Sequence, residues 1–137
     1  MNLYRIVYAS TLSESFNSQD IEHILASSRR NNKKQDVSGM LLFSHRYFLQ
    51  CLEGSRDNIN QTYQRILSDE RHCRVTIVSY ENVTQREFCA WSMGYVPESH
   101  LTRELLFKFS ASATFDPYTL SNVSALALLK SLHGTVI

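Results

Sequence analysis

Twice along this chain a short strand-like apolar run gives way to apolar residues at helical spacing and back, and few folds allow that order. Leu3 to Tyr8 reads as a strand. Ser10 to Asn17 reads as a polar turn. Ser18 to Asn32 then places Ile21, Ile24, Leu25 and Ser28 at i, i+3, i+4 and i+7, which predicts a helix capped by Ser18 or Asn17. Val37 to Phe43 and Tyr47 to Glu53 read as two strands joined through Ser44, His45 and Arg46. Gly54 and Ser55 open a second helix to about Leu67, with Ile59, Thr62 or Tyr63, Ile66 and Leu67 inward. Val75 to Tyr80 and Phe88 to Val96 are the last expected strands.

The order β-α-β-β-α-β-β is the split βαβ pattern of ferredoxin-like folds with one extra strand. The expected class is α+β: a five-stranded mixed sheet with both helices on one face. Beyond it, Leu101 to Phe109 reads as a short amphipathic helix. Asp116-Pro117 looks like the cap and first position of another, running to about His133 with Gly134 as its stop. These two C-terminal helices need an apolar surface, and the free sheet face offers one.

One residue is out of place in this pattern. Gln50 shares a strand face with Phe48 and Leu52. A buried carboxamide without partners costs about 1–3 kcal/mol, so it must be hydrogen-bonded. Tyr8, on a face with Tyr4 and Ile6, brings a phenol; Trp91 and Met93, expected on one strand face with Cys89, bring an indole and a thioether. Each alone is ordinary core; together they suggest a site built across a sheet. The helical stripe, continued by a turn, reaches Asn31 and Asn32. Asparagine also ends helices, because it tolerates the left-handed conformation. Carboxamides aimed into a helix–helix crevice would instead serve a flat heterocycle carrying imide groups. Ile24 and Ile66, on the inner stripes, would sandwich such a ring. Arg65 is either a solvated arginine or a phosphate or ribityl contact at the crevice mouth. Asp69 and His72 either join it or form a polar turn.

The chain has 137 residues, enough for one domain with a real core. Fourteen basic and 13 acidic residues leave a net charge of +1, which gives no electrostatic case for nucleic acid or a membrane surface. Three cysteines, Cys51, Cys73 and Cys89, form no CxxC pair and fit a reducing, cytoplasmic setting. No secretory leader and no apolar run of spanning length are expected. GxGxxG, P-loop, GxSxG and HExxH motifs are absent, and no paired carboxylates stand out.

The run of motifs resembles one family, the BLUF domain, a blue-light sensor using flavin. The resemblance rests on Tyr4-Arg5-Ile6-Val7-Tyr8-Ala9-Ser10, Ser27-Ser28-Arg29-Arg30-Asn31-Asn32 and Ser38-Gly39-Met40-Leu41-Leu42. Phe48-Leu49-Gln50-Cys51-Leu52-Glu53-Gly54, Asp69-Glu70-Arg71-His72 and Trp91-Ser92-Met93 complete it. It covers residues 1–96; residues 97–137 look like the two-helix extension of short, stand-alone, cyanobacterial-type members. The resemblance implies a non-covalently held flavin, usually FAD, with FMN or riboflavin as variants. It implies Tyr8 as electron donor, Gln50 as the bridge to the ring, and Asn31 and Asn32 on its pyrimidine edge. Ile24, Ser28, Phe48, Ile66, Arg65, Asp69 and His72 would complete the binding site, and Trp91 and Met93 would alternate beside Gln50. The chain leaves no room for a catalytic output domain, so the output implied by the resemblance is not catalysis but a response-regulator-like protein partner, bound by a homo-oligomer arranged in stacked rings. A flavin-free interaction module of the same fold is the alternative, and a yellow colour separates the two.

Overall fold

A computed structural model describes residues 2–44 and 46–136. Its sheet contains β1 (Leu3–Leu12), β2 (Ser38–Phe43), β3 (Tyr47–Ser55), β4 (His72–Asn82) and β5 (Gly94–Val96), in the order β4-β1-β3-β2-β5. All neighbours are antiparallel except β2 and β5. His45, in the expected β2–β3 connection, lies outside the described residues. β2 and β3 approach closely at Gly39: a Cβ there would stand 2.2 Å from the Cys51 carbonyl oxygen.

Two helices, α1 (Ser18–Lys34) and α2 (Arg56–Leu67), cover one face, where Ile21, Leu25 and Ile59 pack against Ile6, Leu41, Phe48 and Leu52. Asn17 caps α1 in a capping box with Asp20, and Ser55 caps α2. The other face carries α3 (Arg103–Phe109) and α4 (Asn122–Ser131). Ala125, Leu128, Leu129 and Leu132 bury Val7, Met40, Leu42, Leu49 and Cys51 there. The α+β ferredoxin-like arrangement expected from the pattern is the one observed.

The differences are local. β1 runs on through Leu12, because pairing with β3 continues to Thr11. Helix α1 continues to Lys34, so Asn31 and Asn32 lie inside it; the left-handed residue is Asp36. Leu67 is 51% exposed, and the inward stripe of α2 runs through Ile59 and Thr62. Asp116 caps only a 3₁₀ turn, Pro117–Thr119, and α4 starts afresh behind its own cap, Ser121. Gly134 lies in another 3₁₀ turn without a positive φ.

The expected strand over Phe88 to Val96 is the main correction, since only Gly94–Val96 pairs. The cause is topological. β4 and β5 lie on opposite edges of the sheet, so the chain must cross from one edge to the other after β4. Residues 83–93 make that crossing, and their backbone groups bond to side chains and to β2 rather than to a strand ladder. Trp91 and Met93 therefore do not share a strand face, and Cys89 is exposed.

Candidate functional site

Between α1 and α2 the sheet floors a cleft of about 240 Å³. Tyr8, Leu41, Phe48, Gln50 and Leu52 form the floor; Ile24, Ser27, Ser28, Asn31 and Asn32 form one wall. Thr62, Arg65 and Ile66 form the other wall, with Asp69, Arg71, His72 and Met93 at the ends. A space below the usual 300–1,000 Å³ of drug-sized ligands suits a flat ring system, with any attached chain leaving through the mouth.

Strand register makes the central contact. Tyr8 on β1 faces Gln50 on β3 directly, and both side chains are buried. The Tyr8 hydroxyl donates to Gln50 Oε1. Gln50 Nε2 donates in turn to Met93 Sδ at 3.3 Å. The misplaced carboxamide is thus satisfied at both ends, by a phenol and a thioether. Burial pushes the Tyr8 phenol far above its ordinary range, reinforced by Tyr63 and Asp69 nearby. Tyr8 accordingly keeps its proton at neutral pH.

The helix walls carry the polar groups. Asn32 is buried, and its Nδ2 donates to the Ser92 carbonyl at 2.8 Å. Arg29 Nε donates to the Met93 carbonyl at 3.0 Å. At the mouth, Arg65 donates to Gln35 Oε1 at 2.9 Å and to Thr62 Oγ1 at 3.3 Å. Asp69 holds Arg71 in a two-point pair, with distances of 3.0 and 2.7 Å. Burial alone would raise the Asp69 pKa; the Arg71 hydrogen bonds outweigh it and hold the carboxyl below its usual value. His72 has both nitrogens engaged, Nδ1 with Ser10 Oγ at 2.9 Å and Nε2 with the Ile66 carbonyl at 2.7 Å. Because a carbonyl only accepts, Nε2 carries the proton. His72 offers the cleft its ring rather than a free nitrogen.

Twelve of the residues singled out in the sequence line the cleft: Tyr8, Ile24, Ser28, Asn31, Asn32, Phe48, Gln50, Arg65, Ile66, Asp69, His72 and Met93. Trp91 stands elsewhere. It packs among the residues under the C-terminal helices, with its ring 4.5 Å from that of His133. Sequence reading assigned no role to Arg29, Ser27, Thr62 or Arg71. Thr62 was visible on the helical stripe, whereas the Arg29 contact depends on where the crossover backbone arrives, which no local pattern encodes.

This arrangement fits a flavin: two isoleucines across a slot, three carboxamides and a phenol for a ring edge, and arginines where a phosphate chain would leave. The sequence model of the family described as "Sensors of blue-light using FAD" matches residues 3–94. The chain is 29% identical over 86 residues to the blue light- and temperature-regulated antirepressor BluF of Escherichia coli, covering 63% of this chain and 21% of that protein. It is 30% identical over 116 residues to the photoactivated adenylate cyclase subunit beta of Euglena gracilis, covering 84% and 12%. The chain thus spans about a fifth or less of these relatives. Among solved structures, BlsA in its photo-activated state superposes with a TM-score of 0.88 at 26% identity, covering 96% of this chain and 94% of that one. BlrB, a BLUF protein in its dark state, gives 0.83 at 27%, covering 98% and 97%. With its tyrosine–glutamine pair set into a flavin-shaped cleft, the chain belongs to the BLUF family of blue-light, flavin-binding sensors.

Proposed function

We propose that this chain holds FAD non-covalently in the α1–α2 cleft and converts light into a rearranged hydrogen-bond chain through Tyr8, Gln50 and Met93. The observation that carries this reading is the unbroken sequence of donors from Tyr8 Oη to Gln50 to Met93 Sδ. A bound flavin supplies blue absorption and an electron-accepting excited state. Tyr8 is the electron and proton donor beside it, its proton already directed at Gln50 Oε1. Gln50 is the two-state element. Rotating its carboxamide exchanges donor and acceptor at both ends, and moving a proton from Nε2 to Oε1 turns the acceptor facing Tyr8 into a donor. A thioether accepts but does not donate, so rotation of the amide, which turns Oε1 toward Met93, breaks that contact. Met93 is therefore the reader of Gln50.

Asn31 and Asn32 serve the pyrimidine edge, Ile24 and Ile66 the ring faces, and Ser28, Phe48 and Arg65 the remaining contacts, with Asp69 and His72 shaping the mouth. FMN and riboflavin present the same ring to these groups. In this reading residues 1–96 are the sensor and residues 97–137 its output extension. Trp91, packed against the C-terminal segment, links the two. Output passes to a protein, of response-regulator type, through a cytoplasmic homo-oligomer that includes stacked rings among its forms. Among the described residues no helix is long and apolar enough to cross a membrane.

The test is a light-minus-dark absorption spectrum of the purified chain, with chromatography of the released pigment. A yellow protein with a small red shift under blue light that reverts in darkness is expected, with FAD as the released flavin. A colourless protein, or a flavin whose spectrum is unmoved by light, would overturn the reading and favour the flavin-free interaction module.

A further inference from the structure

A fully buried carboxylate sits on β3 three residues after Gln50, on the opposite face of the sheet. Glu53 faces Arg5 across the β1–β3 register and accepts from Arg5 Nε at 2.9 Å. Its remaining acceptor capacity goes to the backbone of the crossover: Glu87 N at 2.8 Å and Phe88 N at 2.9 Å. Arg5 reaches the same segment through the Gln85 carbonyl at 3.4 Å and ties in Glu81 at 3.3 Å. Arg86 adds bonds to Ser38 Oγ, the Glu53 carbonyl and the Asp36 carbonyl, at 2.8, 3.0 and 2.7 Å. Burying two charges in the sheet is costly unless they are paired and hydrogen-bonded; here each nitrogen of the Arg5 guanidinium donates once and both Glu53 carboxylate oxygens accept.

The second half of the crossover is held from the cleft side. Gly39 N donates to the Trp91 carbonyl at 3.2 Å, Asn32 to Ser92 and Arg29 to Met93. Between the two moorings lie only Cys89 and Ala90, both exposed. Four residues of chain, 89–92, separate Phe88, bonded to Glu53, from Met93, placed over Gln50. One strand, β3, thus carries both Gln50, which meets Met93, and the carboxylate that holds the other end of the crossover.

We propose that Glu53, through Arg5 and the amides of Glu87 and Phe88, is a positioning residue of the light response, holding the crossover so that Met93 Sδ meets Gln50 Nε2. The proposal rests on the reading of Gln50 as the switch, and it goes beyond that reading by assigning a role to a group that touches neither the cleft nor a ligand. Releasing the first mooring lets residues 89–93 shift along the sheet, and the sulfur leaves Gln50.

Glu53→Gln tests it, because one amide oxygen cannot serve Arg5 and two backbone donors together. Three readouts are taken on the full chain. Amide hydrogen exchange at residues 91–93, measured on flavin-free protein, is expected to speed up by tenfold or more. Dark recovery of the red shift is expected to change by threefold or more while flavin occupancy stays at the wild-type level. In a Met93→Ala background the same Glu53→Gln change is expected to alter recovery by less than threefold, because its route of action is gone. Should Glu53→Gln fail to fold, Arg5→Met with Glu53→Gln removes the stranded cation and carries the same expectations. A lowered Tm with recovery within threefold of wild type would make Glu53 a purely structural residue and overturn the proposal, as would an effect undiminished by Met93→Ala. A wild-type chain without a red shift would fail the switch reading instead, and the exchange measurement would still decide whether Glu53 moors residues 91–93.

Discussion

Asn32 has two obligations at once, and each of them makes a substitution costly. Its amide nitrogen already ties down the Ser92 carbonyl, and its side chain lines the cleft. Asn32→Ala leaves the half-buried Ser92 carbonyl without its donor and strips a carboxamide from the cleft wall, at about 1–3 kcal/mol for such a bond. We expect flavin affinity to fall by roughly tenfold or more, measured by flavin titration of the apoprotein; unchanged affinity would reduce Asn32 to a brace for the crossover. Tyr8 makes a second prediction. Its folded pKa lies far above the value near 10 of an unfolded tyrosine. The unfolded chain therefore releases a proton in alkali that the folded chain keeps. The stability from this group is complete below about pH 10 and falls above it, by about 1.4 kcal/mol per pH unit. Denaturation between pH 10 and 11.5 should show a shallower loss for Tyr8→Phe than for wild type, and parallel losses would contradict the assignment. At this scale much was legible in advance. Gln50, Asn31 and Asn32 break the pattern of their elements, and a broken pattern needs only a local rule to be noticed; Tyr8 stood out only in combination with Gln50. Arg29 and Glu53 break none that a short window contains: their partners, backbone groups and for Glu53 also the Arg5 side chain, lie more than thirty residues away.

Elements were legible where side-chain period decides them. Both cleft helices, β2 and β3 fall where their apolar spacing puts them, and Asn17 and Ser55 cap as their residue types favour. The crossover was not legible. Residues 88–93 form an apolar, aromatic-bearing run of strand length, yet the sheet order demands a traverse, and a buried carboxylate captures amides a ladder would have used. That capture has a consequence for function. Strand alternation would have put Trp91 and Met93 on one face, competing for one slot. The traverse instead sends Met93 into the cleft and Trp91 to the opposite side, against His133. The two residues touch different halves of the molecule in this one arrangement, so a displacement of the segment is felt in both.

At the scale of the whole molecule, the sheet separates two cores. The helix face holds the cleft; the other holds the C-terminal helices, with Leu128 wholly buried against them and the strands. Leu128→Ala should lower stability by about 2–5 kcal/mol, read as a drop in Tm, because it opens a cavity in the second core. The red shift should persist at a temperature where the variant is folded, since that shift reports hydrogen bonds on the other face; its loss would show that the two cores are not separable. The C-terminal helices were expected on the free sheet face because their apolar positions had no other partner, and they lie there. Their boundaries shifted because the Asp116-Pro117 pair caps a single 3₁₀ turn and Ser121 caps the helix proper. The central claim, however, concerns two side chains on adjacent strands. Light-minus-dark absorption spectra of Tyr8→Phe and Gln50→Ala, each loaded with flavin, test it most directly. Both variants should stay yellow and lose the red shift, and a shift of wild-type size in both would contradict the account.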